Sequence, residues 1–97
     1  MHAVINQLHF KQPVQETLKD VDRNLGPIIE RLPGFKNFYL VQTAEDRATV
    51  IILWETEEDA INGGKTIGPT YFATEIAPHL ASDQIRELGP VIVDLPR

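Results

Sequence analysis

The run Val50-Ile51-Ile52-Leu53-Trp54 constrains the fold more than any other stretch of this chain. A strand with one wet face alternates apolar and polar residues with a period of two, and this run does not alternate. Both of its faces must therefore be kept from water. The 97 residues make one domain, residues 1–97, with a modest core and no room for a second. So short a chain has few elements with which to cover a strand on two sides.

Those elements can be read in order. Ala3 to Phe10 is strand-like: Val4, Leu8 and Phe10 point one way with Asn6 among them, and Ile5, Gln7 and His9 point the other. Asn6 thus interrupts an apolar face, where a polar group needs a partner or costs a few kcal/mol. Pro13 opens a helix. Val14, Leu18, Val21, Leu25, Ile28 and Leu32 follow at alternating spacings of four and three and share one stripe. The stripe stays in phase across Gly26-Pro27, which predicts one helix bent at Pro27 and ended by Pro33-Gly34. Phe35 to Thr43 is a second strand, and Ala44-Glu45-Asp46 turns it into the Val50–Trp54 strand as an antiparallel hairpin. Thr56 and Asp59 have the spacing of a capping box. They start a short helix over Glu57 to Asn62 that the pair Gly63-Gly64 should stop. Pro69 begins another turn with Phe72, Ala73, Ile76 and Leu80 facing inward, limited by Pro78. The last strand runs from Ile85 to Leu95, interrupted near Gly89-Pro90.

The order β-α-β-β-α-β is the ferredoxin-like, split βαβ arrangement, an α+β fold on a four-stranded antiparallel sheet. Right-handed crossovers put both helical segments on one sheet face. The other face stays bare although three strands carry apolar side chains toward it. A soluble monomer does not usually expose such a patch. Face-to-face pairing of two sheets in a twofold homodimer is the simplest remedy.

Composition removes several function classes. A formal net charge of −5 with scattered Lys and Arg offers no basic footprint for nucleic acid. There is no cysteine, hence no disulfide or thiolate chemistry. No apolar run approaches the ~18–20 residues of a membrane span, and Met1 to Asn6 lacks the pattern of a signal peptide. The expectation is a cytoplasmic protein without membrane contact. His2 and His9 point to opposite strand faces and cannot converge on one metal ion. Gly63-Gly64-Lys65-Thr66 has the tail of a phosphate loop, but Asp59 stands where that loop needs its first glycine.

Leu32-Pro33-Gly34-Phe35 leading into the second strand, the Val50–Trp54 strand, and Trp54-Glu55-Thr56-Glu57-Glu58-Asp59-Ala60 entering the second helix carry a family likeness. Through these stretches, and Asn6 on the first strand, the chain resembles the antibiotic-biosynthesis-monooxygenase-like (ABM-like) proteins of the dimeric α+β barrel superfamily. The resemblance runs over essentially the whole chain. It implies a homodimer with a small-molecule pocket between sheet and helices in each subunit. It also implies oxygenation of a small aromatic or quinol-type compound without flavin or metal. Relatives that degrade haem place an axial histidine on the second helix, in the stretch that reads Gly63-Gly64-Lys65 here. Haem chemistry is accordingly disfavoured.

On this reading Asn6, Trp54 and Tyr71 are the candidate catalytic residues. Asn6 would hydrogen-bond a substrate oxygen and Trp54 would form an apolar wall. Leu8, Ile52, Phe72, Ile76 and His79 would line the substrate pocket, with no cofactor and no metal. Tyr71, Glu75 and His79 also stand at helical i, i+4 spacing, which would align a phenol, a carboxylate and an imidazole for acid–base work. Three polar residues in that register more often form a solvated helix face. A dimer that binds a small ligand without catalysis, or serves as an interaction domain, is the alternative.

Overall fold

The computed structural model describes residues 1–97. Strand β1 (His2–His9) lies between β3 (Arg47–Trp54) and β4 (Ile85–Pro90), and β2 (Phe35–Ala44) completes the far edge, giving the order β2-β3-β1-β4. All three pairings are antiparallel. The architecture is the ferredoxin-like α+β fold. The apolar strand β3 is central, as its composition demands, with Val4 opposite Ile52 and Asn6 opposite Val50. No helix is long and apolar enough to cross a membrane.

Val4, Leu8, Ile52 and Trp54 face the helices and pack with Leu25, Ile29, Ala60, Tyr71 and Ile76 in one buried cluster. Gly34 turns the chain into β2 with φ of +77°, a conformation glycine adopts without strain. Asp59 lies against it, and the Glu55 N–H donates to the Gly34 carbonyl at 2.7 Å.

Three elements differ from the expectation. The first helix is not continuous. It is two pieces, α1 (Val14–Thr17) and α2 (Val21–Ile29), separated at Leu18–Asp20 where both end residues leave helical geometry. Restarting at Val21 keeps Pro27 in an otherwise helical turn and buries Ile29, while Ile28 is half-buried.

The second helix does not stop at Gly63-Gly64. The helix α3 (Glu57–Ile67) runs through them, capped by the Thr56 hydroxyl, which accepts from the Asp59 N–H at 3.1 Å. It continues as a π-helical segment, Gly68–Ile76, and a single 3₁₀ turn, Ala77–His79. Pro69 supplies no N–H and would clash with the carbonyl four residues back in an α-helix. Widening the winding to i→i+5 at that point removes the conflict.

The last strand ends at Pro90 instead of Leu95. One further bond, from the Val91 N–H to the Met1 carbonyl at 2.9 Å, follows. Beyond it Ile92, Val93 and Leu95 are exposed.

All helical segments cover one sheet face. On the other, Ile5, Tyr39, Val41 and Ile85 remain 38%, 49%, 45% and 57% exposed, and half-buried Ile51 of β3 lies between Tyr39 and Ile5, so apolar groups run across all four strands.

Candidate functional site

Alternation along β1 turns Val4, Asn6 and Leu8 toward the helices, and the register sets Asn6 beside Val50 of β3 and Arg86 of β4. Ile52 and Trp54 project from β3 on the same side. Above them, α3 contributes Gly64 and Lys65, and the π-helical segment contributes Phe72. These groups enclose an open cleft of about 460 Å³ between the sheet and α3. Seven of its thirteen lining residues are apolar, and the lining contains no Asp, Glu or His.

Three buried side-chain polar atoms in the molecule have no hydrogen-bond partner in the protein: Asn6 Oδ1, Trp54 Nε1 and Gln84 Oε1. Their residues all line this one cleft. Leaving a buried polar group unsatisfied costs about 1–3 kcal/mol. Native proteins seldom carry such groups without a reason, and three around one cleft make it the candidate site. The Asn6 and Gln84 amides can each offer a donor or an acceptor by turning over. The Trp54 indole can only donate.

Trp54 is 1% exposed and forms the floor. Its ring meets Phe35 edge-on, with centroids 5.9 Å apart and planes at 73°. Gly63 also presses on the ring: a Cβ there would overlap Trp54 Cη2. The helix can approach the indole this closely because residue 63 has no side chain.

Asn6, Ile52 and Phe72 also line a small apolar cavity of about 60 Å³ deeper in the core, together with Leu8, Tyr71 and Ile76. Phe72 thus stands between the cleft and this cavity. Burial pushes the Tyr71 phenol above its ordinary value of 10.0, with Glu75 and Asp20 adding repulsion. It therefore stays protonated in the neutral range and can donate a proton in a hydrogen bond but not act as a base.

Of the eight residues expected at the site, seven line the cleft or the adjoining cavity. His79 lines neither. It is exposed in the 3₁₀ turn, where its carbonyl accepts from the Lys11 N–H at 2.9 Å. Tyr71, Glu75 and His79 form neither the acid–base stripe nor the wholly solvated face weighed for them. The π winding buries Tyr71 with Ile76, five residues on, and leaves Glu75 exposed. Sequence reasoning overlooked Lys65, Gln84 and Arg86. The alternation Gln84, Arg86, Leu88 on a strand was the available signal.

A larger groove of about 570 Å³ lies between α2 and β2. It contains none of the unpartnered buried atoms, so it is the weaker candidate.

No family model matches the sequence, and no curated protein sequence matches it. Solved structures do. A protein described as a candidate antibiotic biosynthesis monooxygenase from Nitrosomonas europaea superposes with a TM-score of 0.78 at 21% identity, covering 96% of this chain and all of that one. SnoaB, a cofactor-independent oxygenase from Streptomyces nogalater, gives a TM-score of 0.79 at 15% identity over 99% and 97% of the two chains. The haem degrader MhuD from Mycobacterium tuberculosis, with two haems in its active site, gives 0.73 at 20% identity over 99% and 100%. At these identities the likeness establishes the fold, and the reaction has to be argued from side chains.

The side chains here do not fit haem. None of the three histidines lines the cleft, and α3 presents Gly63, Gly64 and Lys65 beside the tryptophan. No imidazole is placed to ligate an iron.

Proposed function

We propose that the cleft between α3 and the sheet is the substrate site of a cofactor-independent monooxygenase acting on a small aromatic or quinol-type compound. The observation that carries this reading is the convergence of three unpartnered buried polar atoms on one largely apolar cleft. A flat ring would lie against Trp54, Ile52 and Phe72. The Trp54 N–H and the Asn6 amide would then meet its oxygen.

In such a reaction the substrate loses a proton and becomes an electron-rich anion that reacts with O₂. Overall, an anthrone's ring CH₂ and O₂ give C=O and H₂O, and a quinol and O₂ give a hydroxyquinone and H₂O, the four electrons coming from the substrate in each case. The protein contributes orientation, exclusion of water, and hydrogen bonds that strengthen as negative charge builds on the ring oxygen.

One observation favours a second reading, a dimer that binds such compounds without turning them over. The lining has no carboxylate or imidazole to accept a proton. A catalysed reaction here needs a substrate acidic enough to ionise with hydrogen-bond help alone. The two readings separate in an oxygen electrode. With anthrone or a quinol, the wild-type protein consumes O₂ above the buffer rate if it is an oxygenase. Asn6→Ala and Trp54→Phe should each lower that excess by about a hundredfold, the usual cost of losing a donor to a developing anion. Rates equal to buffer for all three proteins support the binder.

The chain also acts, on this proposal, as a homodimer joined through the bare sheet face. Ile5, Tyr39, Val41 and Ile85 support it, being apolar and exposed on the side away from the cleft.

A further inference from the structure

The rim of the cleft differs in chemistry from its floor. Arg86 reaches across from β4 to the backbone of α3, so that a Cβ on Gly64 would lie 2.9 Å from Arg86 Nη2. Lys65 is the next residue on α3, and both cations line the cleft. Both are exposed, whereas Trp54 beneath them is buried and Asn6 and Gln84 are half-buried. The chain's three ion pairs, His9–Asp46, Arg23–Asp20 and Lys36–Glu55, involve neither. No acidic residue shares the lining. In a chain of net charge −5, two unpaired cations with no acid between them form a local positive field against the overall sign.

From this arrangement we infer that the ligand of the cleft is an aromatic acid: its ring lies on the Trp54 floor and a carboxylate at its outer end is held by Arg86 and Lys65. A planar guanidinium matches a carboxylate through two parallel N–H donors, and the lysine adds a point charge. The depth of the groups separates the two jobs. The neutral donors and acceptors lie inside, where a ring oxygen would sit, and the charges lie at the water-facing edge, where a carboxylate keeps part of its hydration. The carboxylate is thus a handle away from the reacting ring carbon. The inference rests on the proposal that the cleft is the ligand site, and it narrows the substrate to acids.

The chain has one tryptophan, Trp54, so its fluorescence reports directly on the floor of the cleft. The test is a quenching titration with 1-hydroxy-2-naphthoate and with 1-naphthol, the same ring system without the acid. Wild-type protein should bind the naphthoate at least about tenfold more tightly than the naphthol. Arg86→Gln should remove about tenfold of the naphthoate affinity and Lys65→Gln a smaller share, with the naphthol unchanged in both. Raising the salt concentration should weaken the naphthoate selectively. Equal affinity for the two probes overturns the inference and leaves the pocket proposal standing. Equal weakening of both probes in the variants also overturns it, because the side chains would then be shaping the cleft and not reading charge. Absence of saturable quenching by either probe overturns both proposals.

Discussion

Tyr71 shows at the scale of a single residue how burial fixes chemistry. Its ring closes the small cavity beside Leu8 and Ile76, and removal from water disfavours the phenolate. The phenol therefore titrates above 10.0 in the folded chain and near its ordinary value when unfolded. Between those two pH values the unfolded state has released a proton that the folded state keeps. Stability then falls as pH rises, whereas below the unfolded value the contribution is fully present. Urea melts taken from pH 8 upward should show a loss that begins at about pH 10 and is reduced in Tyr71→Phe. A variant with the same alkaline slope as wild type would show that Tyr71 is solvated. The placement of Asn6 and Leu8 was legible because alternation along β1 fixes which way they point, whereas Ile52 and Trp54 sit in a run that does not alternate and their facing came only with the register of β3 against β1. Arg86 and Lys65 were not legible. An arginine on an edge strand looks like any solvated charge until the pairing with Asn6 is known, and the helix was expected to end before Lys65.

At the scale of elements, helix propensity and packing disagree over Gly63 and Gly64, and packing prevails. Each glycine costs roughly 1 kcal/mol in a helix interior. That cost suggested a stop, yet α3 continues to Ile67. Gly63 is kept because the Trp54 indole occupies the space of its side chain. Gly63→Ala should destabilise the fold by about 1–3 kcal/mol through overpacking, despite alanine's better propensity. Gly68→Ala provides the contrast, since nothing lies within 4 Å of a Cβ there. It should be neutral or gain up to about 1 kcal/mol. Denaturant midpoints of the two variants check this, and matching shifts would remove the steric account. The π winding that follows was beyond sequence reasoning for a similar reason. Pro69 was visible as a disturbance, but a proline can end, kink or widen a helix. Here Thr66, Thr70 and Thr74 return their hydroxyls to carbonyls of the preceding turn, a habit that bends helices. The outcome moves Phe72 into the wall between cleft and cavity.

For the whole molecule the governing quantity is how much sheet the helices can cover. They cover one face, and Ile51 and Leu53 of β3 stay half-buried on the face that no helix covers. A four-stranded antiparallel sheet with its helical segments on one face followed from the β-α-β-β-α-β succession. The place where β4 ends did not, because Val91-Ile92-Val93 has the pattern of a strand and lies outside the sheet. Ile92, Val93 and Leu95 are exposed apolar groups, as are those of the outer sheet face. If a second copy covers that face, sedimentation should give twice the chain mass of 10.9 kDa at micromolar concentration. Lysine in place of Val41 or Ile85 would put a charge into that contact. Burying an unpaired charge costs several kcal/mol, enough to dissociate a dimer of ordinary affinity. Both positions are more than two-fifths exposed in the single chain, so the fold should survive the change. The cleft opens on the opposite side of the sheet, and quenching of Trp54 by a bound ring should persist in the dissociated variants. A wild-type chain that sediments as a monomer at high concentration, with the apolar face intact, would refute the pairing.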